Sequence, residues 1–401
     1  MATAAALDAP ATAPAAGSGR RALVIGIIGF LTLIDLFAAQ AILPSLARHY
    51  GVAPGMIGIA ANAGTIGMAV AALAAGALGR RVERRAAIAL SLALLAIPTT
   101  LLAVAPNLLS FAALRIVQGL CMATAFTLAL AYLGERCSRE EATTALAAFV
   151  TGVVASNLIG RLLAAFVVSR YGLEANFGVL AALNLGGALL AWRALDRVKP
   201  APPMDEARVG LLAALALHLK DARLRAAFAV GALILFAFVG VFTYVNFVLA
   251  APPFGLSPMA LGLVYLVFLP AMLTTPPAGR LALRWGVARA GPAALLLAFA
   301  GALLLLAPSF AAVLAGLALV GVGTFFAQAA ATGFVARTAA TERVAASGLY
   351  LASYYAGGLL GAATLGQAFD RLGWGAAVAG VAAALALAAA LARGLREPAA
   401  A

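Results

Sequence analysis

Apolar positions come in long runs, broken by charge clusters or by short stretches holding Pro and Gly. A helix needs about 20 mostly apolar residues to cross about 30 Å of hydrocarbon, so each run is a candidate crossing. Twelve are predicted. The first six cover 22–47, 55–79, 86–105, 108–133, 143–168 and 175–192; the second six cover 226–250, 259–279, 290–307, 309–335, 346–366 and 375–392. The third and fourth are separated only by Pro106-Asn107, and the ninth and tenth only by Pro308-Ser309. Without those breaks each pair would be far too long for one crossing.

Composition agrees. Hydrophobic residues make up 65% of the 401 and charged residues only 10%, against about 25% charged in an ordinary soluble domain. So apolar a chain is neither soluble nor disordered. Its two cysteines, Cys121 and Cys137, exclude a disulfide scaffold and a cysteine-built zinc site. Residues 1–21, rich in Ala, Pro and Gly, read as a flexible tail. The apolar run after Arg20-Arg21 is too long for a secretory signal and lacks a cleavage site.

The net charge of +13 would point to nucleic acid in a soluble protein. Across twelve crossings, however, 22 of the 27 Lys and Arg fall on the face that carries both ends of the chain. Only Arg48, Arg170 and Arg371 fall on the other face, and Arg115 and Arg161 lie inside helices. Positive residues favour the cytoplasmic side, so both termini are expected there, with no nucleic-acid partner.

Residues 193–225 divide the chain. A charged, Pro-rich segment is followed by VGLLAALALHL, too short to span and expected to lie at the interface as a helix. The halves repeat: Gly76, Leu78 and Arg81 answer to Gly279, Leu281 and Arg284 at an offset of 203. Gly51, Pro54 and Gly58 answer to Gly255, Pro258 and Gly262 at 204. The expected architecture is therefore an all-α, polytopic membrane protein. Six-helix bundles at 22–192 and 226–392 are related by an axis along the membrane normal, and residues 393–401 form a cytoplasmic tail.

The segment GALGRRVERR at 76–85 resembles the loop between helices 2 and 3 of the major facilitator superfamily, and RIVQGLCMA at 115–123 resembles the helix 4 signature of its proton-coupled members. QAILPSLARHYGV at 40–52, GRLLAAF at 160–166 and LYLASYYAGGLLG at 349–361 resemble its YnfM-like efflux permease branch. The resemblance implies a cytoplasmic gate at Gly76, Arg80, Arg81, Arg84, Gly279 and Arg284. The family's gate acid is replaced by Arg80 here and by Leu283 in the second copy. Arg81 and Arg84 would then need other partners, such as Glu135 or Glu83.

Of 14 acidic residues only Asp35 falls in a predicted helix core. It lies about 16 Å from the outer end of helix 1, and Arg115 about 10 Å from that of helix 4. An extended guanidinium could bridge the difference, giving either a proton-responsive pair or a fixed structural one. Burial disfavours the carboxylate's charge and a nearby arginine favours it, so such a pair can be tuned to take up protons. Arg115 and Gln118 share a helix face, and Gln118 and Met122 are expected to line the cavity with them.

Arg161, about 12 Å deep, is within partial snorkelling range and is either an anchor or a substrate contact. Gly152, Ser156 and Gly160, like Gly357 and Gly361, recur every fourth residue, the spacing of close helix packing. The second half has no ionisable Asp, Glu, Lys, Arg or His in a helix core. It offers Asn246, Tyr265, Gln328, Tyr350, Tyr354 and Tyr355, with Thr324, Gln328 and Thr332 in one stripe. Either substrate recognition or packing fits these. His49 and His218 read as solvated.

The expected function is secondary active transport by alternating access, most simply proton-coupled export (antiport) of a small amphipathic organic compound. An importer or symporter, or an organic-anion carrier, would use the same parts. No enzyme-like cluster exists, no ATP-binding loop appears, and paired bundles suit a carrier better than a channel. The expected partners are the lipid bilayer, a small-molecule substrate and protons. No cofactor or metal is expected, with a proton gradient as energy source, and the working unit is expected to be a monomer in a bacterial inner membrane.

Overall fold

A computed structural model describes residues 16–78, 83–136, 139–197, 211–339 and 341–396, and among these it contains helices and no strand. The first half holds α1 (Ala16–Ala41), α2 (Leu43–Tyr50), α3 (Pro54–Asn62), α4 (Gly64–Leu78), α5 (Arg84–Leu102), α6 (Leu108–Arg136) and α7 (Arg139–Ala194). A linker helix, α8 (Leu211–Lys220), leads to α9 (Ala222–Ala250), α10 (Pro258–Val264), α11 (Leu269–Trp285), α12 (Val287–Leu304), α13 (Phe310–Thr338), α14 (Arg343–Leu372) and α15 (Trp374–Ala392). One 3-10 turn, Tyr265–Phe268, joins α10 to α11.

Ten of the described helical segments are long and apolar enough to cross a membrane. One of them, Ala145–Ala194, is long enough to cross twice, and it divides at Gly172, whose φ of 87° and ψ of 179° are not helical. The 30-residue α14 is not among the ten because Tyr350, Tyr354, Tyr355 and its glycines dilute its hydropathy. Counting Ala145–Ala194 as two and adding α14 gives twelve crossings.

The internal repeat is visible in the backbone. Gly51 and Gly255, aligned by sequence, both adopt left-handed φ, 63° and 58°. Each lies three residues before a proline that opens a helix, Pro54 for α3 and Pro258 for α10. Glycine takes this conformation without the Cβ clash other residues meet, and proline at a helix start forfeits only an N–H that had no partner there.

Several boundaries differ from the expectation. The first crossing breaks at Ile42, because Pro44 cannot supply the N–H that would continue α1. The expected tail is shorter, since α1 already runs from Ala16; Arg21 pairs with Asp196 at 3.3 Å, tying the start of α1 to the end of α7. Helix α14 extends to Leu372 rather than 366, which places Asp370 in its last turn. Asn107 opens α6 by accepting from the Ser110 N–H at 2.9 Å, the exchange that makes Asn a good N-cap.

The apolar cores follow the chain halves. One gathers residues from 224 to 395, with Ala41 and Leu158 added; the other two draw on residues 24 to 195. Small residues let the helices approach. A Cβ at Gly152 would strike the Gly26 carbonyl of α1, one at Gly160 would press on Ile34, and one at Gly357 would strike Ala232 of α9. The four-residue glycine spacing is therefore a packing feature.

His218 corrects an expectation. It is 3% exposed rather than solvated, and its Nε2 lies 3.2 Å from the Glu342 carbonyl at the start of α14. The linker helix is thus seated on the second half. His49 is exposed as expected. Hereafter the face carrying α8 is called the linker face and the opposite one the far face.

Candidate functional site

Four helices of the first half converge on Asp35, which is 1% exposed on α1. Its Oδ1 accepts from the Thr99 hydroxyl of α5 at 2.9 Å and from Gln118 Nε2 of α6 at 3.0 Å. Its Oδ2 accepts from Asn184 Nδ2 of α7 at 3.1 Å. Arg115 does not pair with the carboxylate directly. Its Nη1 donates to the Asp35 main-chain carbonyl at 3.2 Å and to Gln118 Oε1 at 2.6 Å, and its Nε donates to the Ala61 carbonyl at 2.9 Å.

The expected ion pair is therefore a relay. Gln118 takes a hydrogen bond from the guanidinium through its carbonyl and gives one to the carboxylate through its amide. Arginine can only donate, so this amide orientation is imposed by its neighbours. Depth along the helices matched, but the Asp35 side chain turns toward α5 and α7 while Arg115 reaches the backbone of α1. Four groups around Asp35, namely Thr99, Arg115, Gln118 and Asn184, are each at most 1% exposed.

A second cluster surrounds Arg161, which is fully buried on α7 and does not snorkel. Its Nη1 donates to the Asn157 main-chain and side-chain oxygens and its Nη2 to Gln40 Oε1. The guanidinium carbon lies 4.3 Å from the Tyr265 ring centre, 4.9 Å from Phe268, 5.2 Å from Phe37 and 5.9 Å from Phe242. Such contacts are worth about 2 kcal/mol when desolvated. Asn246 completes the cage, donating to the Tyr265 hydroxyl at 2.8 Å and to the Gln40 carbonyl at 3.2 Å. The structure thus unites Arg161, Asn246 and Tyr265, three candidates drawn from both halves.

A third group lies in the second half. The Tyr350 hydroxyl donates to Gln328 Oε1 at 2.7 Å, and Tyr350 stacks on Tyr354 with ring centres 6.4 Å apart. Thr324 and Thr332 bond back to carbonyls of their own helix, so that stripe is locally satisfied. Met122 differs from its expectation: it is fully buried in the apolar core of the first half, against that core rather than in a polar cavity.

A family model described as Major Facilitator Superfamily matches residues 25–269 and 247–401. The chain belongs to the Major Facilitator Superfamily. It is thus a multi-pass membrane transporter and not an enzyme. It is 25% identical over 329 residues to the uncharacterised MFS-type transporter YybF of Bacillus subtilis (strain 168), covering 82% of this chain and 81% of that one. It is 27% identical over 267 residues to the inner membrane transport protein YnfM of Escherichia coli (strain K12), covering 67% and 64%. The fold is that of a solved nucleoside transporter, NupG, with a TM-score of 0.72 at 15% identity, covering 94% of this chain and 98% of that one.

The facilitator gate residues are only partly visible. Arg80 and Arg81 lie outside the described residues, as do the Glu135 side chain and Cys137. Gly76 sits in α4 and Arg84, buried, in the first turn of α5. Glu83 caps α5, its carboxylate accepting from the Arg85 and Ala86 N–H groups at 3.1 and 2.9 Å. Gly279 has open space around it, and Arg284 is exposed.

Sequence reading missed Thr99, Asn184, Gln40 and Asn157: each is neutral, and an apolar run does not give a residue's direction around its helix axis. Their signal was available as neutral hydrogen-bonding side chains inside apolar runs, where an unpartnered one would be costly. Among the described residues, no group of three or more His, Cys, Asp or Glu converges as a metal site.

Proposed function

We propose that this facilitator transporter is a proton-coupled antiporter that exports a small amphipathic organic compound by alternating access, with Asp35 as its proton site. The two six-helix units rock about the clusters described above, in a bacterial inner membrane with both termini cytoplasmic. The excess of Lys and Arg on the linker face supports that orientation, and the transmembrane proton gradient supplies the energy. A single chain contains every group the cycle uses.

The observation that carries this reading is the Asp35 network. The Thr99 hydroxyl has one proton and two acceptors in reach, Asp35 Oδ1 at 2.9 Å and the Leu95 carbonyl at 2.8 Å. When Asp35 is ionised, that proton points at the carboxylate. When Asp35 carries a proton, Thr99 can turn to Leu95 and accept from Asp35 instead. Asn184 Oδ1, buried without a partner, is a second acceptor reached by an amide flip. Both protonation states can thus be hydrogen-bonded, and the change is relayed through Gln118 to Arg115.

The test is transport in proteoliposomes under an imposed pH gradient, first as a screen of metabolites and drugs. Asp35→Asn is expected to abolish gradient-driven accumulation while retaining exchange of labelled for unlabelled substrate. Near wild-type accumulation by Asp35→Asn overturns the assignment.

A further inference from the structure

We propose that Arg161 anchors the carboxylate of an aromatic organic anion, and that such anions are the cargo. This inference rests on the proton-coupled carrier reading above and names its substrate class. Arg161 is buried and its Nε has no partner. Among the described residues no carboxylate lies within 4.0 Å of it. Charge makes the same point. The helix cores hold one acid, Asp35, and two arginines, Arg115 and Arg161. Asp35 and Arg115 share one network through Gln118, whereas Arg161 is left in excess.

A buried unpaired cation is costly, and an apolar side chain in its place would join α7 to the Tyr265–Phe268 turn without that cost. Retaining the charge calls for an anion at some stage of the cycle. With Asp35 ionised, a bound monoanion brings the membrane interior to neutrality, the loaded state that an antiporter carries after releasing its proton. A cationic or neutral cargo would leave the excess uncompensated.

The shell of Arg161 selects the rest of the ligand. Gln40, Asn157 and Phe37 come from the first half, Phe242, Tyr265 and Phe268 from the second. When the halves part, the cage splits along this line. The planar guanidinium fork, still oriented by Gln40 and Asn157, then faces space bounded by aromatic rings. A fork of that kind matches a carboxylate through paired hydrogen bonds. The rings that covered the guanidinium can instead take the face or edge of an aromatic ligand.

The experiment uses the full chain, purified and reconstituted, with benzoate, phenylacetate and 2-naphthoate as probes against benzamide, benzyltrimethylammonium and hexanoate. Thermal-unfolding shifts and exchange of labelled benzoate are read. The wild type is expected to respond to the aromatic carboxylates, weakly to hexanoate, and not to the amide or the ammonium. Arg161→Gln should weaken benzoate binding by roughly 10- to 100-fold, with partial recovery in Arg161→Lys. Tyr265→Leu should erase the preference for benzoate over hexanoate while hexanoate binding persists. If Arg161→Gln does not fold, the wild-type probe series and Tyr265→Leu still decide. A wild type that ignores all three aromatic carboxylates, or prefers benzamide or the ammonium, overturns the inference, as does unchanged benzoate binding in Arg161→Gln. Arg161-dependent benzoate binding and exchange, combined with net benzoate transport that is indifferent to the pH gradient, would instead overturn the coupling reading and leave the anchor standing.

Discussion

At Asp35 three neutral donors, and no direct cation, hold the carboxylate, so the Thr99 hydroxyl is the partner whose removal isolates the proton switch. Thr99→Val keeps the shape and removes the hydroxyl. A hydrogen bond to a charged group is worth about 1.5–3 kcal/mol, so gradient-driven transport should fall roughly 10- to 100-fold. Thr99→Ser should retain most of it, and transport assays with unfolding midpoints would separate this from a folding defect. Gln118→Leu should act differently, breaking the link between Arg115 and Asp35. In a double-mutant cycle on the rate of substrate exchange, Asp35→Asn and Arg115→Ala should couple with Gln118 present and approach additivity in Gln118→Leu. The charged members of this site were legible in the sequence because a charge inside an apolar run is conspicuous and its axial depth follows from the rise per residue. Rotation about the helix axis is not legible that way. The direct pair was therefore expected where the structure has a relay, and the uncharged Thr99 and Asn184 passed unnoticed.

The helices themselves were legible because hydrocarbon thickness sets a minimum length, and because glycine and proline mark the ends. Gly172, Gly286 and Gly373 sit at helix junctions with positive φ. What runs of apolar residues do not reveal is which glycines lie against a neighbour's backbone. Gly119 of α6 and Gly64 of α4 meet closely, and a Cβ on Gly119 would strike the Gly64 carbonyl. Gly178, also helical, has nothing within 4 Å of such a Cβ. Gly119→Ala should therefore destabilise the fold by about 1–3 kcal/mol through overpacking. It should also push α6, with Arg115 and Gln118, away from Ala61. Gly178→Ala should be neutral or stabilising by about 0.5–1 kcal/mol, since only the flexibility of the unfolded chain changes. Unfolding midpoints of the two variants in the same detergent check the pair, and equal losses would contradict this account of the packing.

Across the whole molecule, the described hydrogen bonds between the halves gather toward the far face. Asn62 Nδ2 donates to the Thr243 hydroxyl at 3.3 Å, Asn246 Nδ2 to the Gln40 carbonyl at 3.2 Å, and the Gly55 N–H to both oxygens of Asp370 at 3.1 and 3.0 Å. The last of these sets a carboxylate from the end of α14 on the N-terminus of α3, whose helix dipole favours negative charge. Because Asp370 is exposed, the charge itself contributes only about 0.3–1 kcal/mol. That is enough to matter between two conformations of similar energy, where it changes the open-to-closed ratio roughly two- to fivefold. The backbone leaves no slack there: a Cβ on Gly55 would collide with Asp370 and the backbone of Gly366. Asp370→Asn, which keeps an acceptor but loses the charge, should shift the population toward a far face that is open. Gly55→Ala should shift it further by displacing α3 from α14. Spin labels at Arg48→Cys and Ser309→Cys, in a background without Cys121 and Cys137, would report the separation of the halves at that face. The expected result is a longer-distance component that grows from wild type to Asp370→Asn to Gly55→Ala. In the wild type it should also grow with added salt, which screens the exposed carboxylate. An unchanged distance distribution in both variants would mean that the far face is closed by the apolar and aromatic contacts alone.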